Sequence, residues 1–297
     1  MVVQKLGRKI LVLILAITLV LLTSTSCSRI FKQNDDQQQG QKGQQQEKKD
    51  PPSALTQMEK ETDNMIQQIQ KIRDQRAKMI GQQIGTSQKQ NDGNKPQPKQ
   101  QSSSQADQKQ DKGKQDQQQE SQTQGMQQNQ INWQDFEKTI KALNELWNKY
   151  EPQAKKDGAP DTLIYQFEKQ LNMLTSSIMA HDEEKTLMDA NELYQYYSQF
   201  FNLYKHQAPP EIKEIKYYVQ EILINAEAGK WEETAPLLIN MEKAWQTAKS
   251  RMQKPDHELN AKIDHAMEDF SQVVQQKDLQ LVKIKGKILL KNVEEIK

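Results

Sequence analysis

The chain has 297 residues, and its 41 Lys and Arg against 40 Asp and Glu leave a formal charge of +1. That balance argues against a nucleic-acid partner, which calls for a strongly basic face. A single cysteine excludes an intramolecular disulfide framework and a cysteine-built metal site, so stability has to come from core packing.

Lys5, Arg8 and Lys9 open the chain, followed by 13 almost wholly apolar residues from Ile10 to Leu22, then Thr23, Ser24, Thr25, Ser26 and Cys27. A basic start, a short apolar run and small residues before a cleavage point form a secretory signal, here residues 1–26. The apolar run is shorter than the roughly 20 residues of a membrane span. Thr25 and Ser26 before Cys27 resemble the signal of a bacterial lipoprotein, although Ser24 stands where that family usually has an aliphatic residue. The resemblance implies lipidation of Cys27 and attachment to the outer face of the cell membrane. The alternative is an uncleaved single-span anchor from Ile10 to about Cys27, with its basic end inside.

Residues 27–130 are expected to form a Gln-rich, disordered tether, because tracts such as Gln37–Gln39 and Gln117–Gln119 have nothing to bury. A coil of that length reaches roughly 50–60 Å. One amphipathic helix interrupts it at 53–80, where Leu55, Met58, Thr62, Met65, Ile69, Ile72, Arg76 and Met79 fall on alternating steps of three and four. Either it docks on the folded domain or frays in solvent, or it oligomerises the protein as a short coiled coil. Thr62 and Arg76 weaken the apolar seam of the second option.

Residues 131–297 predict an all-α fold, an antiparallel bundle of about seven helices built from repeated hairpins. Pro160, Pro209–Pro210 and Pro255 mark helix starts, and Ala180–Asp182, Ala228–Lys230 and Gln276–Asp278 mark the turns between. Gly229 suits a C-terminal cap and Asp182 an N-terminal one. The apolar pattern recurs at an offset of 48: Phe167, Ile215 and Ile263; Leu171, Val219 and Met267; Leu174, Ile222 and Phe270; Ile178, Ala226 and Val274; Leu193, Met241 and Leu289; Tyr197, Trp245 and Val293. Trp133, Phe136, Ile140, Leu143 and Trp147 match Trp231, Thr234, Leu238, Met241 and Trp245 at an offset of 98, which adds an unpaired first helix. Steps of four, three and four place each set on one helical stripe. The period exceeds the roughly 34 residues of tetratricopeptide repeats.

The stretch Tyr217–Ile296, with Ala-x-x-Gly-Lys-Trp-Glu-Glu at Ala226–Glu233 and with Trp245, resembles helical domains of uncharacterised lipoproteins from Gram-positive bacteria. That resemblance implies fold and location and no activity.

Catalytic signatures are sparse. His181, His206, His257 and His265 form no His-Glu-x-x-His motif. His257 and His265, eight apart with Asp264 beside the second, would need a third ligand from another helix to hold a metal. Met173, Met179, Met188, Met241 and Met267 are available as haem ligands, but methionine at stripe spacing is ordinarily core filler. No Gly-rich phosphate loop or nucleophile-and-base pair is present, so neither a catalytic residue nor a cofactor is assigned. Between Asn191 and His206 the aromatic stripe widens: Tyr194, Tyr196 and Phe201 lie outside the repeat positions, and Tyr217 and Tyr218 extend the set. Either this is a central helix contacted on two sides, or these five form a surface for an envelope protein or a wall glycan. The leading expectation is a membrane-anchored interaction module; the alternatives are a bundle that binds metal, haem or another small ligand, and an enzyme acting on the wall.

Overall fold

The computed structural model describes residues 48–89 and 130–297. The expected signal, Cys27 and the stretch 90–129 of the expected tether lie outside the described residues. The protein is an all-α helical bundle, with no strand among the described residues. No helix of the described residues is long and apolar enough to cross a membrane.

The first helix, α1 (Ser53–Lys89), begins directly after Pro51–Pro52. It extends past the expected 53–80 and belongs to the same compact unit, Glu47–Lys297, as the helices that follow. The folded region therefore starts well before Ile131. Leu55, Met58, Thr62, Met65, Ile66 and Ile69 are buried in a core shared with α2 (Trp133–Lys156), α3 (Asp161–Met179), α4 (Glu183–Tyr194) and α5 (Tyr197–Phe201). The seam residues from Leu55 to Ile69 that a coiled coil between chains would use are thus covered within this chain, while Ile72, Arg76 and Met79 are half-buried. The two polar residues in the seam have partners there. The Thr62 hydroxyl donates to the Met58 carbonyl (2.9 Å) and accepts from the Tyr197 hydroxyl (2.9 Å). Arg76 pairs with Glu183 at the start of α4. The segment entering α1 is also pinned, since the Lys205 N–H donates to the Lys49 carbonyl at 2.7 Å.

A second core gathers α6 (Glu211–Glu227), α7 (Thr234–Arg251), α8 (His257–Gln275) and α9 (Leu279–Glu294), with a 3-10 turn at Trp231–Glu233 leading into α7. α6 is the shared wall. Its Ile215, Val219, Ile222 and Leu223 enter the second core, while Ile224 enters the first. The seven predicted helices of 131–297 are all found, with one break: the rod expected from 183 to about 204 turns at Gln195–Tyr196 and continues as α5. Tyr194, Tyr197, Phe200 and Tyr204, on either side of that turn, are all buried.

The 48-residue repeat is real at the level of packing. None of the residues at its six matched positions is more than 6 % exposed. It also governs the turns. His181, Gly229 and Lys277 stand 48 apart and all have positive φ, at 54°, 72° and 58°. In each turn the next residue donates its N–H back across five residues, from Asp182 to Ser177, Lys230 to Asn225 and Asp278 to Val273. Asp182 and Asp278 then cap the helix that follows, accepting from the N–H groups of Lys185 and Leu281. Gly286 serves a different need. A Cβ there would lie 3.1 Å from Phe270 and 3.2 Å from Leu223, so its bare backbone lets α9 close on α8 and α6.

Two stability changes follow. Ile66→Ala should cost about 2–5 kcal/mol in urea unfolding, as for any aliphatic side chain lost from a packed interior; a change within about 0.5 kcal/mol would mean that α1 is a surface helix. Lys277→Gly should stabilise by about 0.5–1 kcal/mol, because only glycine adopts that left-handed conformation without crowding its Cβ. Its ion pair with the exposed Glu232 contributes little by comparison.

Candidate functional site

Where the chain crosses from the first core to the second, α1, α4, α6 and the C-terminal end of α9 surround an open recess of 540 Å³, lined among others by Glu59, Tyr194, Phe201, His206, Lys213 and Val293. Its floor is a paired charge network. Both the Tyr194 hydroxyl (2.6 Å) and the Lys213 ammonium (2.9 Å) donate to one Glu59 oxygen. Lys213 also sits 4.2 Å above the centre of the Phe201 ring, a cation–π arrangement. One turn along, Lys216 bridges Asp63 (3.0 Å) and Glu294 (3.1 Å) while lying 5.5 Å from the Tyr194 ring centre.

The charges in this floor hold one another ionised. Burial alone would raise the Glu59 carboxyl, but Lys213, the Tyr194 hydroxyl and Lys216 outweigh it and keep the group below its ordinary value. Burial would likewise lower Lys216, and Asp63 and Glu294 reverse that. Tyr194 is pushed well above its usual value by burial and by the Glu59 charge, so it acts as a fixed donor. His206, on the rim, is lowered by burial and by Arg251 and stays neutral at pH 7. Every acid in the floor is matched by a base, so the network ties α1 to α6.

The five aromatic residues proposed as one partner surface do not form one. Tyr194 is 0 % and Phe201 8 % exposed, because α1 and α6 cover the side of α4 and α5 that the sequence left open. Tyr196 is half-buried, edge-on to Phe167 at 6.3 Å. Tyr217 and Tyr218 are half-buried on α6, their rings 5.1 Å apart. Tyr217 packs toward the first core and Tyr218 toward the second.

A second polar cluster lies between α4 and α6. Glu221 accepts from the Asn191 amide (2.8 Å) and the Asn225 amide (3.2 Å), and the Tyr217 hydroxyl donates to Glu192 (3.2 Å). Burial, reinforced by the Glu221 charge, raises the Glu192 carboxyl. Both carboxylates are thus engaged by amide and hydroxyl donors. Elsewhere, His257 and His265 are exposed on α8, and Asp264 is held by the Trp245 indole (2.6 Å) and Lys249 (2.8 Å). Among the described residues, no three His, Cys, Asp or Glu side chains gather into a group able to hold a metal. Met241 and Met267 are core residues, while Met173, Met179 and Met188 face solvent.

No protein-family model, curated protein or solved structure matches this chain. The residues that matter most at the recess, Glu59, Asp63, Lys213 and Lys216, were not singled out from the sequence. The available signal was a pair of acids four apart on one amphipathic helix and a pair of lysines three apart beside the apolar stripe of another. Charges at the edge of a buried stripe need partners.

Glu59 and Glu192 should respond oppositely to neutralisation. Glu59 is lowered in the folded state, so its contribution is present above its unfolded value and lost as pH falls through the folded one. Glu59→Gln should therefore destabilise by about 2–4 kcal/mol at pH 7, with the difference vanishing in acid. Glu192 is raised, so its charge opposes folding at pH 7, and the penalty is full above the raised value and fades as pH falls through it toward the unfolded one. Glu192→Gln should raise the Tm at pH 7 by on the order of 1–3 °C and leave it unchanged near pH 4. Thermal melts across that pH range check both signs.

Proposed function

We propose that this protein is a lipid-anchored envelope lipoprotein that holds a helical scaffold at the outer face of the cell membrane, where it serves as an interaction module. The observation carrying this reading is the order of features at the start of the chain: Lys5, Arg8 and Lys9, the apolar run Ile10–Leu22, the small residues Thr25 and Ser26, and Cys27. The all-α architecture is consistent with it, since a rigid bundle stabilised by packing alone needs no disulfide in an oxidising compartment.

The architecture changes one part of the picture. Only 25 residues separate Cys27 from α1, not the roughly 100 that a tether running to Ile131 would supply. In this reading the partner of the module is an envelope protein or wall glycan at the outer face of the membrane.

Labelling of growing cells with radioactive palmitate tests the assignment. The wild-type chain should take up label and lose residues 1–26, and Cys27→Ala should remain unlabelled with its leader intact. Recovery of the wild-type chain from the cytosol, unlabelled and full length, would overturn the proposal.

A further inference from the structure

α9 carries an unusual outward face. Leu281, Ile284 and Ile288 are 38 %, 53 % and 45 % exposed, and their spacing of three and four places them in one stripe. Large aliphatic side chains aligned this way on a free helix face mark an interaction surface rather than chance exposure. Lys291 continues the same line one turn beyond Ile288, and Lys287 flanks it.

The charge around this stripe is one-sided. α9 lies alongside α1, and an open groove of 440 Å³ between them is lined by Lys71 and Lys78 from α1 and by Lys287 and Lys291 from α9. The carboxylates nearby are already matched within the chain. Asp74 pairs with Lys283 and Lys287, Glu294 with Lys216, and Glu295 with Lys262. Lys71, Lys78 and Lys291 enter no ion pair among the described residues, so this side of the bundle carries surplus positive charge beside exposed aliphatic groups.

We propose that this face, the Leu281–Ile284–Ile288 stripe with Lys71, Lys78, Lys287 and Lys291, docks on an anionic lipid bilayer. Aliphatic side chains entering the headgroup boundary, flanked by lysines that meet lipid phosphates, are the features of a helix that lies on a membrane surface. A second copy of this chain is a poorer occupant, because matching the face to itself sets Lys287 and Lys291 against their own counterparts. Lipidation at Cys27, as proposed above, brings the chain to a bilayer. In this respect the inference rests on the envelope reading, but the contact itself depends on α9 and α1 and not on lipidation.

The test uses the full chain with Cys27→Ser and Ile284→Cys, labelled at position 284 with an environment-sensitive dye. It is mixed with vesicles of phosphatidylcholine alone or of equal parts phosphatidylcholine and phosphatidylglycerol. The N-terminal apolar run can bind either vesicle, so only the local probe reports docking. A blue shift is expected on the anionic vesicles and none on the neutral ones. Each lysine strengthens attachment to an anionic surface about fivefold, so Lys71→Gln, Lys78→Gln and Lys291→Gln together should weaken docking about a hundredfold. Ile288→Asp, at an exposed position, should abolish it while leaving the circular dichroism spectrum intact. No shift on anionic vesicles, equal shifts on both kinds, or a shift that grows with protein concentration without vesicles would overturn the proposal. Because Cys27 is absent from the assay, failure of lipidation would leave the result unaffected.

Discussion

Remove α1 and the first core loses a wall. Leu55, Met58, Met65, Ile66 and Ile69 meet the helices that carry Trp147, Phe167, Tyr197 and Phe200, which otherwise pack on one another at centroid separations of 4.5–5.8 Å. Three helical rods from the hairpin region leave that aromatic cluster open on one side, and exposing rings of this size to water is costly. A segment drawn from the most hydrophilic part of the sequence closes it. The polar exceptions on α1 follow the same logic: Thr62 meets Tyr197, Glu59 meets Tyr194 and Lys213, and Asp63 meets Lys216. Each of these three side chains meets a partner on another helix.

From this closure the remaining architecture follows. α6 takes part in both cores, and α1 lies along it through the Lys213 and Lys216 ion pairs. Farther along α1, Arg73 reaches both Glu183 on α4 and Glu227 on α6 (2.9 and 3.3 Å), and Asp74 meets lysines on α9. One helix is thereby tied to both halves of the bundle.

Much of the fold was legible beforehand because it rests on local periodicity. Residues such as Phe167, Ile215 and Ile263 repeat at 48 and are all buried, and the turns at His181, Gly229 and Lys277 repeat with them. Caps at Asp182 and Asp278 are short-range features that a sequence displays directly. The partner of an amphipathic face is a different matter. Leu55, Met58 and Met65 have the same spacing whether they meet another chain or their own, so helical period alone leaves that choice open. The aromatic set failed for the same reason: Tyr194 and Phe201 lie off the repeat stripe and are buried because α1, more than a hundred residues earlier, and α6 cover them. Its charged floor was equally hidden, since Glu59 and Lys213 are 154 residues apart.

Hydrogen–deuterium exchange of the backbone amides tests the closure of the first core most directly. If α1 is an integral wall, amides from Leu55 to Ile69 exchange as slowly as those in the centres of α2 and α3 and lose protection in the same transition under mild denaturant. Exchange of that segment at the rate of an unstructured chain, while α2 and α3 stay protected, would contradict the account.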